Sequence, residues 1–410
     1  MMPAAPMREV VRELATARDT QVAQVVALID SMQERGTADT LIAPLRARLR
    51  QLRLDRPLRF GRLLFLPLDP VIVGGPGWRL GLPSVPRPAL GPLLEIVQRG
   101  LAGHAREIEA ELHGRSRSDA AAVRRTGGLL WPQAAGLLKA AASAPTDRAW
   151  GEAGLPADAF APVARGVACV LSKAVRLMKL LGDIESGLPP PAEQISEMLE
   201  HAAADSAKGW NLMVAVLLRS LPKPDIVLRQ MREVSARLQP ALRAGAERTI
   251  ETVLDELAGT GGKGGGMREL GLTVASAQVR RLAELLDGLS EGAGPQRQQA
   301  IAAARQEADA NCRERFAAGL STELIEPLHA LRANSEPGSI KSLEATAREL
   351  RRFETEARRI GGADSYDAML RRAAREIAED GKVPLGLIDK VRMVELLAGP
   401  EDALRLLGGA

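Results

Sequence analysis

The chain of 410 residues has 46% hydrophobic side chains, which is normal for a globular protein and allows a large core to be buried. Its formal net charge of +4 is small for this length. The basic excess is N-terminal, because residues 1–150 carry 21 basic and 14 acidic side chains whereas residues 151–410 carry 34 and 37. An acidic partner is therefore expected to meet the N-terminal part.

Several classes of protein are disfavoured by simple counts. Two cysteines, Cys169 and Cys312, cannot form a disulfide framework or a four-ligand zinc site by themselves. The start of the chain lacks the apolar core of a secretory signal, and no run of 18 apolar residues suggests a membrane span. We therefore expect a cytoplasmic protein.

The composition and the spacing of apolar residues predict an all-α fold. Aromatic residues make up only 2% of the chain, so the core must consist mainly of Leu, Ala, Val and Ile. Leu and Ala rank high in helix propensity, whereas strand-forming Tyr, Phe and Thr are scarce. Helical spacing predicts helices at 7–35, 40–54, 90–112, 118–142, 160–184, 192–204, 208–221, 226–238, 242–257, 267–289, 296–318, 323–331, 340–360, 365–379 and 385–397. The helix at 118–142 is predicted to be broken at Gly127-Gly128 and at Pro132.

A proline-rich insert at residues 59–88 interrupts this pattern. Seven prolines lie between Pro67 and Pro92, and each one removes a backbone donor and fixes φ. The insert is therefore predicted to be non-helical. The segments RLLFL and VIV are compatible with short strands, which the neighbouring Pro67 and Pro70 restrict to edge or extended pieces.

The glycine-rich segment 259–266, GTGGKGGG, is predicted to be a linker. Its lysine, Lys263, is followed by glycine, so the hydroxyl of a phosphate-binding loop is missing. The linker would separate an N-terminal helical region, 1–258, from a C-terminal helical region, 267–410. Successive helix pairs span 35–45 residues, which is compatible with an irregular α-solenoid or with two helical bundles.

Two groups of charged residues at helical spacing are candidate metal ligands. His104, Glu107 and Glu111 share one face of a predicted helix, and Glu197, His201 and Asp205 share another. Neither group has the Glu-x-x-His spacing of a di-iron bundle. A solvated charged face explains both groups, so we predict no metal and no cofactor, and we find no catalytic motif.

An arginine run is the clearest candidate for binding. Seven arginines and one acidic residue lie between residues 46 and 62. The first four arginines belong to the predicted amphipathic helix at 40–54, which leads into Phe60 and Phe65. Three hypotheses remain open: arginines in water over packed leucines, an acidic protein or an anionic membrane surface, and nucleic acid. The candidate binding residues are Arg46, Arg48, Arg50, Arg53, Arg56, Arg59, Arg62, Phe60, Phe65 and Trp78.

Residues 63–73, LLFLPLDPVIV, are too apolar to lie free in water. They are expected either to be buried across a helical groove, with Trp78 packing near the end of the crossing, or to form a docking surface; burial is the favoured hypothesis.

The function predicted from the sequence is a non-catalytic helical scaffold or adaptor with a protein partner. One alternative is a protein that associates with anionic membranes or nucleic acid through residues 46–62. The other is an enzyme with an unrecognised site between helices.

Overall fold

Helices dominate the described residues, so the all-α prediction is confirmed. The computed structural model describes residues 19–31, 55–74, 78–144, 148–258, 267, 270–291, 293–331, 337–379 and 383–408. Within these ranges, no helix is long and apolar enough to cross a membrane. Whether the helix pairs stack as a solenoid stays a prediction.

The first half of the chain contains α1 (Asp19–Ser31), α2 (Phe60–Leu64), β1 (Ile72–Val73), β2 (Val85–Pro86), α3 (Leu90–Leu101), α4 (Gly103–Leu112), α5 (Ala120–Ala141), α6 (Arg148–Glu152), α7 (Phe160–Ser172), α8 (Ala174–Glu185), α9 (Ala192–Asp205) and α10 (Ala207–Ser220). The second half contains α11 (Pro224–Ser235), α12 (Pro240–Ala258), α13 (Leu272–Ser290), α14 (Pro295–Ala318), α15 (Glu326–His329), α16 (Pro337–Arg358), α17 (Ala363–Ala378), α18 (Leu387–Ala398) and α19 (Pro400–Gly408). Short 3-10 helices cover Leu66–Val71, Arg87–Ala89 and Ala157–Ala159.

The helices form two compact units. Unit 1 comprises residues 1–221 and 230–249, and unit 2 comprises residues 222–229 and 250–410, so α11 and α12 contribute to both. The predicted linker, 259–266, lies outside the described residues.

Helix α7 lies at the centre of unit 1, packed against α5 and α10. Its sequence, FAPVARGVACVLS, is apolar on nearly every side, as expected of a fully buried helix. Two glycines allow α7 and α10 to approach closely. A Cβ atom at Gly166 would lie 2.6 Å from Leu212 Cδ1, and one at Gly209 would lie 2.8 Å from Cys169 Sγ.

The insert contains helical turns, which corrects the prediction that it is non-helical. Residues 60–64 form α2, which includes the first three residues of the RLLFL segment that the sequence made compatible with a strand. Phe60, Leu63 and Leu64 are buried, and the Glu109 carboxylate accepts a hydrogen bond from the first amide, Phe60 N–H, at 2.9 Å. The Leu63 carbonyl at the other end of α2 accepts from Trp131 Nε1 at 3.0 Å. The VIV segment does form a strand over part of its length, since β1 and β2 pair in parallel with Ile72 opposite Val85.

Two predicted helices differ from the observed ones. The helix expected at 90–112 is interrupted at Ala102, whose positive φ of 44° separates α3 from α4. The breaks expected within 118–142 at Gly127 and Pro132 do not occur, because α5 is continuous. Proline costs this helix one backbone hydrogen bond, and the neighbouring Trp131 is completely buried, which offsets that loss.

Unit 2 has an aromatic centre. Phe316 lies parallel to Phe353, with ring centroids 6.3 Å apart, and edge-on to Tyr366 at 5.2 Å. A π-helical segment, Gly319–Ile325, joins α14 to α15, where the sequence predicted two separate helices. Arg315 is buried beside it and donates to the Leu270 carbonyl at 2.9 Å and to Glu323 at 2.6 Å.

Candidate functional site

The arginine run is partly described, and its described members face inward. Arg46, Arg48, Arg50 and Arg53 lie outside the described residues. Arg56, Arg59 and Arg62 converge on Asp30 of α1, whose side chain is 3% exposed. Arg56 donates twice to the carboxylate at 2.8 Å, and Arg59 donates to the Asp30 carbonyl at 2.7 Å. These three arginines therefore tie the insert to α1.

The aromatic candidates are part of the packing of the insert. Phe60 and Phe65 are 2% and 6% exposed, and the leucines between them are buried. Most of residues 63–73 is buried, so the hypothesis of burial is confirmed for this stretch, with Asp69 as its exposed residue. Trp78 lies at the far end of the insert and donates to the Ser84 carbonyl at 3.3 Å. The Lys208 ammonium lies 5.9 Å from the centre of the Trp78 ring.

Lys208 clamps this far end of the insert. Its ammonium donates to the carbonyl oxygens of Leu80 at 3.4 Å, of Ser84 at 3.3 Å and of Leu82. Burial lowers the pKa of Lys208 to about 8. From the same helix, Arg219 donates to the Pro83 carbonyl at 3.2 Å. Two cations of α10 thus satisfy carbonyls that irregular backbone leaves unpaired.

A cleft of about 400 Å³ opens between the insert, α5 and α8, and we call it the insert cleft. Its size falls within the range of known ligand pockets. The apolar part of its wall consists mainly of Leu66, Pro67, Val123, Met178 and Leu181. Its charged and hydroxyl groups include Asp55, Asp69, Arg117, Arg124, Glu185 and Ser220. The insert therefore contributes one wall of a mixed apolar and polar site.

At one end of the insert cleft the charges are already engaged. Asp55 accepts from Ser118 N at 3.1 Å and from Ser118 Oγ at 2.6 Å. The hydrogen bonds from Ser118 and Ser116 hold the pKa of the Asp55 carboxyl below its ordinary value. Arg117 Nη1 lies 2.6 Å from Asp69 Oδ2. This end is therefore a closed set of partners, with Asp55 ionised at neutral pH.

Three polar groups of the insert cleft are not engaged. Among the described residues, no carboxylate lies within ion-pair distance of Arg124, and no cation lies within that distance of Glu185. The Ser220 hydroxyl is shielded from solvent and has no hydrogen-bond partner in the described part of the chain. Arg124 and Glu185 are exposed, so water can solvate them, whereas a shielded hydroxyl without a partner, such as that of Ser220, is uncommon in proteins.

The local sequence explains how α8 presents this surface. Met178, Leu181, Gly182 and Glu185 are spaced at i, i+3, i+4 and i+7, which places them on one helix face. Glycine keeps the middle of this face open: a Cβ atom at Gly182 would lie 3.9 Å from Arg124 Nη1, with nothing closer. A larger residue would fit the helix but would project into the insert cleft.

The members of the Glu197, His201 and Asp205 group each have a partner outside the group. Ser172 Oγ lies 2.9 Å from His201 Nε2, Lys139 lies 2.7 Å from Asp205, and Arg176 pairs with Glu197. Burial and the nearby Lys173 lower the pKa of His201. Across the described ranges, no group of three or more His, Cys, Asp or Glu side chains is placed to hold a metal ion.

Sequence reasoning missed the insert cleft. Its lining residues are spread from Asp55 to Ser220, and each is ordinary within its own element. The one local indication is Gly182, which lies on the same face of α8 as Met178 and Leu181. Comparison with protein-family models, with curated proteins and with solved structures finds no match.

Proposed function

We propose that the protein is a non-catalytic helical adaptor of the cytoplasm, and that it holds a segment of a partner protein in the insert cleft. The observation that carries the proposal is the set of unengaged groups Arg124, Glu185 and Ser220 beside an apolar wall. An open site of this kind offers both contact area and hydrogen bonds to a partner.

The chemistry of the carboxylates favours binding over catalysis. A general acid at neutral pH needs a raised pKa, whereas the pKa of Asp55 is lowered by its serine partners. Asp69 is held by Arg117. The buried thiols Cys169 and Cys312 have pKa values raised by burial to about 12, which removes them as nucleophiles at neutral pH.

The alternative of an anionic membrane or nucleic-acid surface depends on the other arginines of the run. Arg56, Arg59 and Arg62 are engaged with Asp30 or its carbonyl, so this alternative depends on Arg46, Arg48, Arg50 and Arg53, which lie outside the described residues. Binding of this kind weakens steeply with salt, so its salt dependence separates it from docking in the insert cleft.

Photo-crosslinking in the cells that produce the protein tests the adaptor proposal. Benzoylphenylalanine at position 178 samples the insert cleft, and the same residue at position 129, where Leu129 is 57% exposed, samples another face of unit 1. We expect one protein adduct from position 178 and none from position 129.

A cleft-filling substitution supplies the matched control. Gly182→Leu should abolish the adduct, whereas Gly136→Leu, the same change on an exposed face of α5 with nothing within 4 Å, should leave it. Identical adducts from both positions, or an adduct that persists with Gly182→Leu, would contradict the proposal.

A further inference from the structure

We infer that the occupant of the insert cleft is an extended peptide segment with apolar side chains, whose backbone is bound by Arg124, Glu185 and Ser220. The inference rests on the proposed function and adds the chemistry by which the partner is recognised. It follows from the kinds of polar group that are left unengaged and from their charges.

The three unengaged groups match the polar groups of a peptide backbone. The Arg124 guanidinium only donates, the Glu185 carboxylate only accepts, and the Ser220 hydroxyl does both. An extended backbone presents carbonyl oxygens and N–H groups in alternation along its edges. Arg124 can therefore donate to a carbonyl while Glu185 accepts from an N–H, and both bonds are strengthened by the charge on one partner.

The charge of the site disfavours a ligand with a single charge. Arg117 and Asp69 neutralise one another. Arg124 and Glu185 carry opposite charges on either side of Gly182: Arg124 Nη1 would lie 3.9 Å from a Cβ atom there, and Glu185 follows it on α8. An anion would be attracted to Arg124 but repelled by Glu185 and by the ionised Asp55. A cation would be repelled by Arg124. A neutral, dipolar backbone satisfies both signs at once.

The apolar wall of the insert cleft indicates which side chains the bound segment carries. Leu66 and Val123 are 6% and 4% exposed, and Met178 and Leu181 are partly exposed along the insert cleft. In an extended strand, alternate side chains point to the same face, so two apolar residues two positions apart would lie along this wall. In a known mode of peptide recognition, the main chain of an extended peptide provides affinity and its alternate side chains provide specificity.

The methyl group of Met178 provides a direct reporter. In protein labelled with ¹³C at the methionine methyl groups, the probe is the blocked tetrapeptide acetyl-Val-Ala-Leu-Ala-amide at millimolar concentration. We expect a saturable shift of the Met178 signal, which Met178→Leu identifies. Octanoate and octylamine offer similar apolar surface with a single charge, and we expect them to bind at least about fivefold more weakly.

Matched variants test the role of the charges. Arg124→Gln and Glu185→Gln should each weaken the binding of the peptide by at least about fivefold, because each removes one charge-assisted hydrogen bond. The controls are Arg125→Gln, whose guanidinium points toward Glu111 at 3.9 Å, and Glu200→Gln on the exposed side of α9; both should leave binding unchanged. Both cleft residues are exposed, so the folded state should persist in every variant.

The outcomes separate this inference from the adaptor proposal. Tighter binding of octanoate or octylamine than of the peptide would overturn the inference in favour of a singly charged ligand. Equal peptide affinity in wild type, Arg124→Gln and Glu185→Gln would also overturn it. A partner adduct at position 178 combined with either result would leave the adaptor proposal standing, whereas the absence of any adduct would remove the adaptor proposal itself.

Discussion

Arg56 binds the carboxylate of Asp30 through two parallel hydrogen bonds, Nε to Oδ2 and Nη2 to Oδ1, each 2.8 Å long. The Asp30 side chain is 3% exposed and that of Arg56 is 24% exposed, so the pair is shielded from water. Arg62 Nη2 lies 3.5 Å from the same carboxylate. One acidic residue of α1 thus anchors the inner end of the arginine run.

Replacing Asp30 should destabilise unit 1 strongly. Asp30→Asn removes the carboxylate that Arg56 binds at a shielded position, and losing one member of a buried ion pair costs about 3 kcal/mol or more. Urea unfolding followed by tryptophan fluorescence measures the effect, because Trp78, Trp131, Trp150 and Trp210 all belong to unit 1. Glu107→Gln, a surface change of the same kind, should leave the midpoint unchanged. A midpoint equal to wild type for Asp30→Asn would show that water solvates these arginines.

The burial of Phe65 gives a second prediction. Phe65→Asp removes an aromatic side chain that is 6% exposed and places a carboxylate in its position. Loss of the ring alone costs about 3–5 kcal/mol, and an unpaired buried charge adds to that cost. Phe65→Leu keeps the position apolar and should cost less than about 1.5 kcal/mol. If Phe65→Asp and Phe65→Leu unfold at the same urea concentration, the insert is held by its ends and not by this core.

The insert shows how far sequence reasoning reaches. Its burial follows from the run LLFLPLDPVIV, because that much apolar surface needs cover. The helical turn at α2 does not follow, because it depends on the Glu109 carboxylate at one end and on the indole of Trp131 at the other. Residues that supply such partners lie 49 and 68 positions away, beyond the reach of local patterns.

The insert cleft could not be predicted from the sequence for a related reason. Its unengaged groups come from α5, α8 and the end of α10, and they meet only because those helices and the insert pack together. The arginine run, by contrast, was conspicuous in the sequence, yet its described members serve the fold. Charge density marks where cations lie, whereas packing decides whether they are still available to a partner.

The lowered pKa of Lys208 predicts that the folded state becomes more stable at alkaline pH. Burial lowers the pKa of Lys208 to about 8, whereas an unfolded lysine titrates near 10.4. Between these values the unfolded chain binds more protons than the folded one, so the free energy of unfolding increases with pH, by about 3 kcal/mol in all. Tryptophan-detected unfolding at pH 7.5–10 (about the range between the two pKa values) measures this rise.

The Lys208 effect is isolated by comparison with a variant. Buried Cys169, whose pKa is raised to about 12, acts in the opposite direction above about pH 9, so wild type alone gives a mixed curve. Lys208→Met removes only the lysine contribution, and the difference between the two curves should grow from pH 8 upward. Lys179→Met, on an exposed position of α8, should follow wild type. A difference that stays constant with pH would show that the three carbonyls keep Lys208 charged.

The substitution of glycine by alanine should have opposite effects at Gly136 on α5 and at Gly209, where α10 crosses α7. Alanine normally stabilises a helix by about 0.5–1 kcal/mol relative to glycine. At Gly136, where nothing lies within 4 Å of a Cβ atom, Gly136→Ala should give that gain.

At Gly209 the same change should destabilise unit 1. A Cβ atom there would lie 2.8 Å from both Cβ and Sγ of Cys169 and 2.9 Å from Ser206 Oγ, so the helices must separate or the side chains must shift. Overpacking of this kind costs about 1–3 kcal/mol, which exceeds the gain in helix propensity. Urea midpoints of the two variants measure the contrast directly. Cys169→Gly removes both of the atoms at 2.8 Å, so Gly209→Ala should cost less in a Cys169→Gly background than in wild type, which would confirm that this contact sets the distance between α7 and α10. An unchanged cost would place the strain at Ser206 instead.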